Sequence, residues 1–239
     1  MNAPASPTVS LGPDAEAALH AVVEPAILYF GTPVVLISTQ NEDGTPNLAP
    51  MSSAWWLGWG CMLGLRGNAK TAENLRRTGE CVLNLPSADL VGMVDRLALT
   101  TGSNPVPGNI ARMGFRHVAD KFGLAGFTPV AADLVAPPRA RECPVQLEAV
   151  VDAIHPFGAS NPRMRTAFAA IEVRIVRVHV QESILASGSR DRIDPDKWRP
   201  LIMSFRQFYG LGARVHPSRL SEFPEHLFRP PTPQPTTVG

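Results

Sequence analysis

The chain of 239 residues is 44% hydrophobic and 18% charged, which provides enough apolar side chains for a core and argues against general disorder. Its formal net charge of +1 offers no electrostatic reason to expect nucleic acid or an anionic membrane as a partner. Three cysteines are too few for a disulfide scaffold, and none shows the C-x-x-C spacing of a structural zinc site.

The two ends of the chain are predicted to contain neither a targeting signal nor a packed element. The N-terminus lacks a basic stretch followed by an apolar one, so no secretory signal is expected. No apolar run approaches the ~20 residues of a membrane span. We therefore expect a cytoplasmic protein with a loose arm at residues 1–13, one domain at 14–228 and a proline-rich tail at 229–239.

The first half of the domain is rich in strand signals. Pro33–Gln40 is apolar and β-branched, and it leads into a turn cluster at Asn41–Gly44. Two further strands are predicted at Asn47–Ala54 and Leu57–Arg66, with the tryptophan-rich stretch Trp55–Gly60 as their connection.

Short helices are predicted around the next strand. Thr71–Thr78 is predicted to be helical, with Thr71 as its N-cap. Cys81–Leu85 has the apolar character of a short strand. Ser87–Leu99 begins with a capping serine and places apolar residues on one face, so a second helix is predicted there.

The second half predicts a long excursion and two longer strands. Residues 102–143 are rich in proline, and excursions of this length are often functional. Strands are predicted at Val145–Ala153 and Ala167–Gln181, and a slip in the alternation at residues 175–176 predicts a β-bulge. A C-terminal helix is expected to open at Asp194–Pro195.

This order of elements predicts a mostly β protein with short helices. The strands do not alternate with helices in a βαβ rhythm, and no G-x-G-x-x-G follows a strand. An antiparallel barrel is therefore expected rather than a dinucleotide-binding Rossmann sheet.

The common catalytic motifs are absent from the sequence. It contains no G-x-S-x-G elbow, Walker loop or H-E-x-x-H sequence. The histidines are scattered and no pair has the spacing of a helix face, so no metal site is predicted.

Residues 44–86 contain the groups that would suit a planar, anionic ligand. Arg66 and Lys70 supply positive charge, and Thr71 offers a hydroxyl where a helix N-terminus favours a phosphate. Asn74 adds amide donors one turn later, and the backbone at Ala49–Ser53 could bind a heteroaromatic edge. The spacing alone favours an ordinary structural role, with solvated Arg66 and Lys70 side chains and with Thr71 acting only as a cap.

Four segments in order carry a family resemblance: TPVVLISTQNEDGTPNLAPMSSA, RGNAKTAENLRRTGECVLNLP, KFGLAGFTPV and RECPVQLEAVV. Together they resemble the flavin reductase-like, FMN-binding split-barrel family over roughly residues 27–186. The resemblance implies a six-stranded antiparallel Greek-key split barrel of the FMN-binding type. It also implies a homodimer with non-covalent FMN near the dimer interface.

The resemblance assigns cofactor-binding roles to two groups of residues. The first would line the isoalloxazine ring and ribityl chain, and the second would hold the phosphate. In the second group the chain departs from the family pattern, because no acidic residue separates the lysine from the threonine. The first group is Ala49, Pro50, Met51, Ser52 and Ser53, and the second is Arg66, Lys70, Thr71 and Asn74.

The function implied by the resemblance is an NAD(P)H-dependent flavin reductase that transfers hydride from nicotinamide to flavin. Such enzymes can feed reduced flavin to a monooxygenase partner. One alternative is a flavoprotein oxygenase or reductase that retains FMN and acts on an organic substrate, and another is a non-enzymatic flavin-binding or electron-carrier protein. No catalytic acid or base is assigned, because the cofactors themselves perform hydride transfer.

Overall fold

The structure is a computed structural model that describes residues 20–164 and 167–228. The predicted arm at residues 1–13 and the predicted tail at 229–239 lie outside the described residues. Within the described ranges, no helix combines the length and apolar character needed to cross a membrane.

The strands and helices alternate unevenly along the chain, with most helices short. The strands are β1 (Phe30–Pro33), β2 (Val35–Gln40), β3 (Pro46–Met51), β4 (Ala54–Leu57), β5 (Gly60–Arg66), β6 (Glu80–Leu85), β7 (Thr100–Thr101), β8 (Arg116–His117), β9 (Pro129–Val130), β10 (Arg139–Ala140), β11 (Val145–Phe157), β12 (Phe168–Val180), β13 (Leu201–Ser204) and β14 (Gln207–Gly210). The α-helices are α1 (Lys70–Thr78), α2 (Val91–Asp95), α3 (Gly108–Ala111) and α4 (Lys121–Ala125), with 3₁₀ segments at Ala88–Leu90, Glu182–Ile184, Arg219–Glu222 and Glu225–Phe228.

The main sheet confirms a mostly β fold but corrects the predicted strand count. It is antiparallel and has seven strands rather than six, in the order β3-β2-β6-β11-β12-β5-β4. Its end strands β3 and β4 do not pair with each other within the described residues, so the sheet is not a closed barrel. The extra strand arises because Trp55 and Trp56, expected in a connection, pair with Met62 and Cys61 of β5.

The long hairpin β11–β12 confirms the predicted β-bulge. Glu148 lies opposite Arg177, whereas the next residue, Ala149, lies opposite Ile175. Val176 is therefore the extra residue, and one additional residue on one strand is the definition of a bulge.

Three helix predictions need correction. Helix α1 begins one residue early, at Lys70, and its N-cap is Ala69 rather than Thr71. The helix predicted at Ser87–Leu99 divides into a 3₁₀ segment and the five-residue α2. The helix expected at Asp194 is a turn, because the chain soon enters Pro200, which cannot donate a helical hydrogen bond.

Strand β2 has two buried faces, and this arrangement positions the helices. Val35 and Ile37 belong to the core cluster of the main sheet. Leu36 belongs to a second cluster that also contains Leu48 of β3 and Phe122 of α4. Helix α4 packs against β3, which brings its first residue to the candidate site described below.

Candidate functional site

A cleft of about 1050 Å³ lies where β3, β4 and β5 meet the start of α1. Residues 97–103, together with Ile110 and Phe115, also line it. This volume is slightly above the ~300–1,000 Å³ range of small-molecule sites. The long excursion predicted from its prolines therefore contributes directly to the cleft.

The predicted ring-binding segment lies mostly in the cleft. Ala49, Pro50, Met51 and Ser53 line it, whereas Ser52 does not. Because β3 is an end strand of the main sheet, every second residue directs its backbone groups away from β2, and Pro46 and Pro50 have only a C=O to offer because proline has no N–H. These unpaired backbone groups are what a polar ligand edge would require.

The predicted phosphate-binding segment forms a second part of the lining. Arg66, Lys70 and Thr71 line the cleft, joined by Asn68, which the sequence analysis did not select. The N-cap residue Ala69 provides no side-chain hydrogen bond to the first turn of α1. An uncapped helix N-terminus next to an arginine is a favourable environment for an anion.

Lys70 already has acidic partners. Its Nζ lies 2.7 and 2.9 Å from the two carboxylate oxygens of Glu42, and 3.7 Å from Glu73. The hydrogen bond from Lys70 is the main reason that the pKa of Glu42 is lowered. Sequence reasoning missed this pair because the β2–β3 turn brings Glu42 to Lys70 from 28 positions away.

Asn74, also predicted to hold phosphate, does not line the cleft. It is fully buried, and its amide nitrogen donates to Thr39 Oγ1 and Asn41 Oδ1, each at 3.0 Å. Asn47 donates in turn to Thr71 Oγ1 at 3.2 Å. The structure thus uses these side chains to fasten α1 to the β2–β3 hairpin.

Asn47 is a cleft residue that sequence reasoning missed, although it lies in the quoted N-L-A-P-M motif. It is buried, and its Oδ1 has no hydrogen-bond partner among the described residues. A Cβ atom at Gly102 would lie 2.6 Å from this oxygen and 3.0 Å from Lys70 Cγ. Glycine at position 102 therefore permits the close approach of the 97–103 segment.

Lys121 is the second residue that was missed. It is 3% exposed and lines the cleft at the start of α4, which packs against β3. Burial lowers the pKa of Lys121 to about 8. Its acidic neighbour Asp120 is occupied in capping the helix, where it accepts a hydrogen bond from Gly123 N at 2.8 Å.

One group of side chains in the described part of the chain has the spacing of metal ligands, and it lies outside the cleft lining. Glu148 contacts His179 at 2.6 Å and accepts hydrogen bonds from the backbone of Asp133 and Leu134. The Asp133 carboxylate pairs with Arg177 at 2.6 Å. These contacts account for the cluster as a structural network.

Residues 27–212 match the flavin reductase like domain family. This chain belongs to the flavin reductase-like family. It is also 40% identical over 200 residues to the uncharacterized protein YdfE of Bacillus subtilis (strain 168), a match that covers 84% of this chain and 93% of YdfE.

Solved structures share the fold of this flavin reductase-like protein at lower sequence identity. Flavoredoxin of Desulfovibrio vulgaris (Miyazaki F) aligns with a TM-score of 0.66 and 22% identity, covering 85% of this chain and all of the other. Nitrilotriacetate monooxygenase component B from Bacillus cereus aligns with a TM-score of 0.63 and 19% identity, covering 89% and 100% respectively.

Family membership implies flavin-related oxidoreductase chemistry, and the cleft suits a flavin. Arg66 and the uncapped N-terminus of α1 provide donors for a phosphate. Leu97, Leu99 and Phe115 provide an apolar surface for a ring system. The unpartnered Oδ1 of Asn47 provides a buried acceptor for a ligand hydroxyl.

Proposed function

We propose that this protein binds FMN in the cleft and acts as an NAD(P)H-dependent flavin reductase. The observation that supports this most strongly is the combination of Arg66 and an uncapped helix N-terminus with a largely apolar cleft. The ring and ribityl chain are assigned to Ala49–Met51 and Ser53. The phosphate is assigned to Arg66, with the first turn of α1.

FMN supplies hydride acceptance when it is bound, so the protein needs no catalytic acid or base for that step. The backbone groups of β3 bind and orient the polar edge of the ring. The apolar residues of the 97–115 segment exclude water from its face. Asn47, Thr71 and Asn74 hold α1 in the position that an incoming phosphate requires.

A second candidate is an oxidoreductase that retains FMN and acts on an organic substrate. It is favoured by the 97–115 segment, because a long excursion that lines the cleft could form a substrate subsite. A third candidate function is that of an electron carrier, which is supported by the fold shared with a flavoredoxin. Release of FMN after reduction would favour the flavin reductase over both.

We also propose a homodimer built around β4, the end strand beside the cleft. Its exposed apolar side chains form a patch of the kind found at interfaces, with Trp55 57%, Leu57 79% and nearby Trp59 46% exposed. Trp55 also lines the cleft, so a second copy docked there would contribute to the site.

A monooxygenase that uses reduced flavin is the proposed further partner, because one protein of similar fold is a component of nitrilotriacetate monooxygenase. A cytoplasmic location would suit the three free, buried cysteines.

The first test is FMN binding by the wild type and by Arg66→Ala. A charged hydrogen bond contributes about 1.5–3 kcal/mol, so the variant should bind FMN roughly 10- to 100-fold more weakly. Riboflavin, which lacks the phosphate, should bind both proteins equally. Dissociation constants come from flavin fluorescence quenching, and anaerobic bleaching with NADH or NADPH tests the reductase step.

Arg174→Ala is the matched control, because Arg174 lies on β12 outside the cleft lining and pairs with Asp152 at 3.4 Å. Equal FMN affinity in the two arginine variants would contradict the phosphate assignment. A wild type that binds no flavin would contradict the proposed function as a whole.

Replacing Glu42 with glutamine should strengthen FMN binding. The Glu42 carboxylate neutralises Lys70 and adds negative charge near the phosphate-binding segment. Its removal is expected to raise FMN affinity about two- to fivefold, within the ~1 kcal/mol typical of an exposed ion pair. Titration calorimetry at low and high salt measures the gain, which should shrink at high salt. A weaker complex would instead mean that Glu42 holds Lys70 in its binding position.

A further inference from the structure

A row of three side chains crosses one face of the main sheet and lines the cleft. Phe168 of β12 lies directly opposite Arg66 of β5, and on its other side it lies opposite Phe157 of β11. Directly opposed residues of antiparallel strands place their side chains on the same face of the sheet. All three residues line the cleft, so its wall continues past Arg66 as an aromatic surface, formed by Phe168 and Phe157.

This aromatic surface lies on the other side of Arg66 from the segment to which the flavin ring is assigned. The strand order β11-β12-β5-β4 places the two phenylalanines on one side of β5 and β4 on the other. The ring-binding segment leads directly into β4, and its last residue, Ser53, accepts a hydrogen bond from Gly64 N of β5 at 2.7 Å. A flavin with its ring on the β4 side and its phosphate at Arg66 therefore ends where the aromatic surface begins.

The aromatic surface is exposed and close enough to receive a group linked to that phosphate. Phe157 is 55% exposed, and Phe168 is half-buried. Two strand spacings of about 4.8 Å separate Phe157 from Arg66, which makes a total of about 10 Å. A planar group joined to the phosphate by a short chain can span this distance. Its contact with the phenyl rings would remove apolar area from water, which favours binding.

Arg163 adds a positive charge at the same end of the cleft. It belongs to the loop that joins β11 to β12, and it also lines the cleft. Its guanidinium lies 3.0 Å from the Glu24 carboxylate, but both side chains are 78% exposed. An exposed ion pair of this kind contributes little stability, so a ligand anion can replace Glu24. The region beyond Arg66 therefore suits an aromatic ring that carries a phosphate.

We propose that Phe157, Phe168 and Arg163 bind the adenylate group of FAD, so that the cleft accepts this dinucleotide as well as FMN. The inference rests on the proposed binding of a flavin with its phosphate at Arg66. FAD differs from FMN by an AMP group joined to that phosphate. The adenine stacks on the phenylalanines, and the second phosphate pairs with Arg163 in place of Glu24.

A reduced pyridine dinucleotide also carries an adenylate group, but two observations favour FAD as its source. The aromatic surface begins directly beside Arg66, so the flavin phosphate and the adenylate group occupy adjoining positions. A separate dinucleotide would bring its own two phosphates next to the phosphate of bound FMN, and repulsion between these charges disfavours that arrangement.

The experiment measures the dissociation constants of FAD, FMN and riboflavin by titration calorimetry. It compares wild type with Phe157→Ala and Arg163→Ala. Phe223→Ala is the control for the phenylalanine, because Phe223 is 58% exposed and lies outside the cleft lining. Arg174→Ala is the control for the arginine. The KM for NADH is measured with saturating flavin, and thermal unfolding verifies that each variant is folded.

We expect the wild type to bind FAD at least about fivefold more tightly than FMN, the minimum typical of a base stacked on an aromatic side chain. Phe157→Ala should remove this advantage, and Arg163→Ala should weaken FAD binding about two- to fivefold. The affinities for FMN and riboflavin should remain at their wild-type values in both variants. The two controls should leave all three affinities unchanged.

Equal affinity of the wild type for FAD and FMN would overturn the inference and leave the proposed function intact. A parallel loss of FAD and FMN affinity in Phe157→Ala would place the FMN part on the aromatic surface and also overturn it. A higher KM for NADH in Phe157→Ala, with the preference for FAD retained, would assign the surface to the pyridine dinucleotide instead. A wild type that binds neither flavin would refute both the inference and the proposed function.

Discussion

Replacing Lys121 with methionine is expected to stabilise the flavin-free protein by about 3 kcal/mol at pH 7. Burial lowers the pKa of Lys121 from its usual 10.5 to about 8, so the folded state disfavours the charged form. Each pKa unit corresponds to 1.36 kcal/mol, which makes the penalty about 3 kcal/mol. Methionine removes the charge and keeps a chain of similar length.

The sign of the pH dependence follows from the same shift. At pH 7 the lysine is protonated in both states, and the wild type bears the full penalty. Between pH 8 and 10.5 the unfolded chain binds more protons than the folded one, so wild-type stability rises with pH. The advantage of Lys121→Met should therefore shrink over that range.

Urea unfolding at pH 7 and pH 10, with Lys197→Met as the control, measures both effects. A methionine variant that is less stable than wild type would mean that the ammonium has a favourable partner in the protein.

Replacing Glu148 with alanine is expected to destabilise the protein by about 3–5 kcal/mol, the usual result of removing one partner of a buried charged network. Glu148 is fully buried and accepts hydrogen bonds from Asp133 N at 2.9 Å and Leu134 N at 2.6 Å. His179 Nε2 lies 2.6 Å from the same carboxylate. Alanine would leave these donors without an acceptor and detach the 133–134 segment from β11.

Acidic pH should reduce the contribution of Glu148 to the stability of the folded protein. Burial acts to raise its pKa, but the N–H donors of Asp133 and Leu134, together with His179, outweigh burial and hold the pKa below its usual range. A carboxyl with a lowered folded-state pKa stabilises the protein above its unfolded pKa, and this contribution is lost as pH falls through the folded pKa.

Chemical denaturation of wild type, Glu148→Ala and Glu148→Gln at pH 7 and at acidic pH tests this. The glutamine variant keeps one acceptor oxygen and should lose less stability than alanine at neutral pH. The difference between wild type and Glu148→Ala should narrow in acid. A loss below about 1 kcal/mol at pH 7 would show that the backbone donors find other partners.

Six of the seven strands of the main sheet were predictable from local patterns. The apolar run before Asn41, the turn ending in Gly44 and the slip at residue 176 all correspond to observed features. β4 was missed because its pairing with β5 depends on a tight turn at Gly58, whose φ of 57° lies in the left-handed region. The prediction of a helix at Asp194 was wrong because local capping signals cannot override a nearby proline.

Candidate site residues were predictable where they lie close together in the chain. Arg66, Lys70 and Thr71 are separated by a few residues, and they do line one cleft. Lys121 joins them only because the second core cluster packs α4 against β3. Nothing in its local sequence distinguishes a buried lysine from an exposed one.

The sequence by itself determined six of the seven strands of the main sheet, the family and the short segments that carry backbone groups and phosphate donors, because these depend on neighbouring residues and on an ordered series of motifs. Tertiary structure alone decided which side chains face the cleft, which are consumed by internal hydrogen bonds and which charges are balanced. Asn74 supports α1, Glu42 reaches Lys70, and Lys121 has no ion-pair partner in the part of the chain that the structure describes. These outcomes depend on distance and burial, and residues far apart in the chain set both.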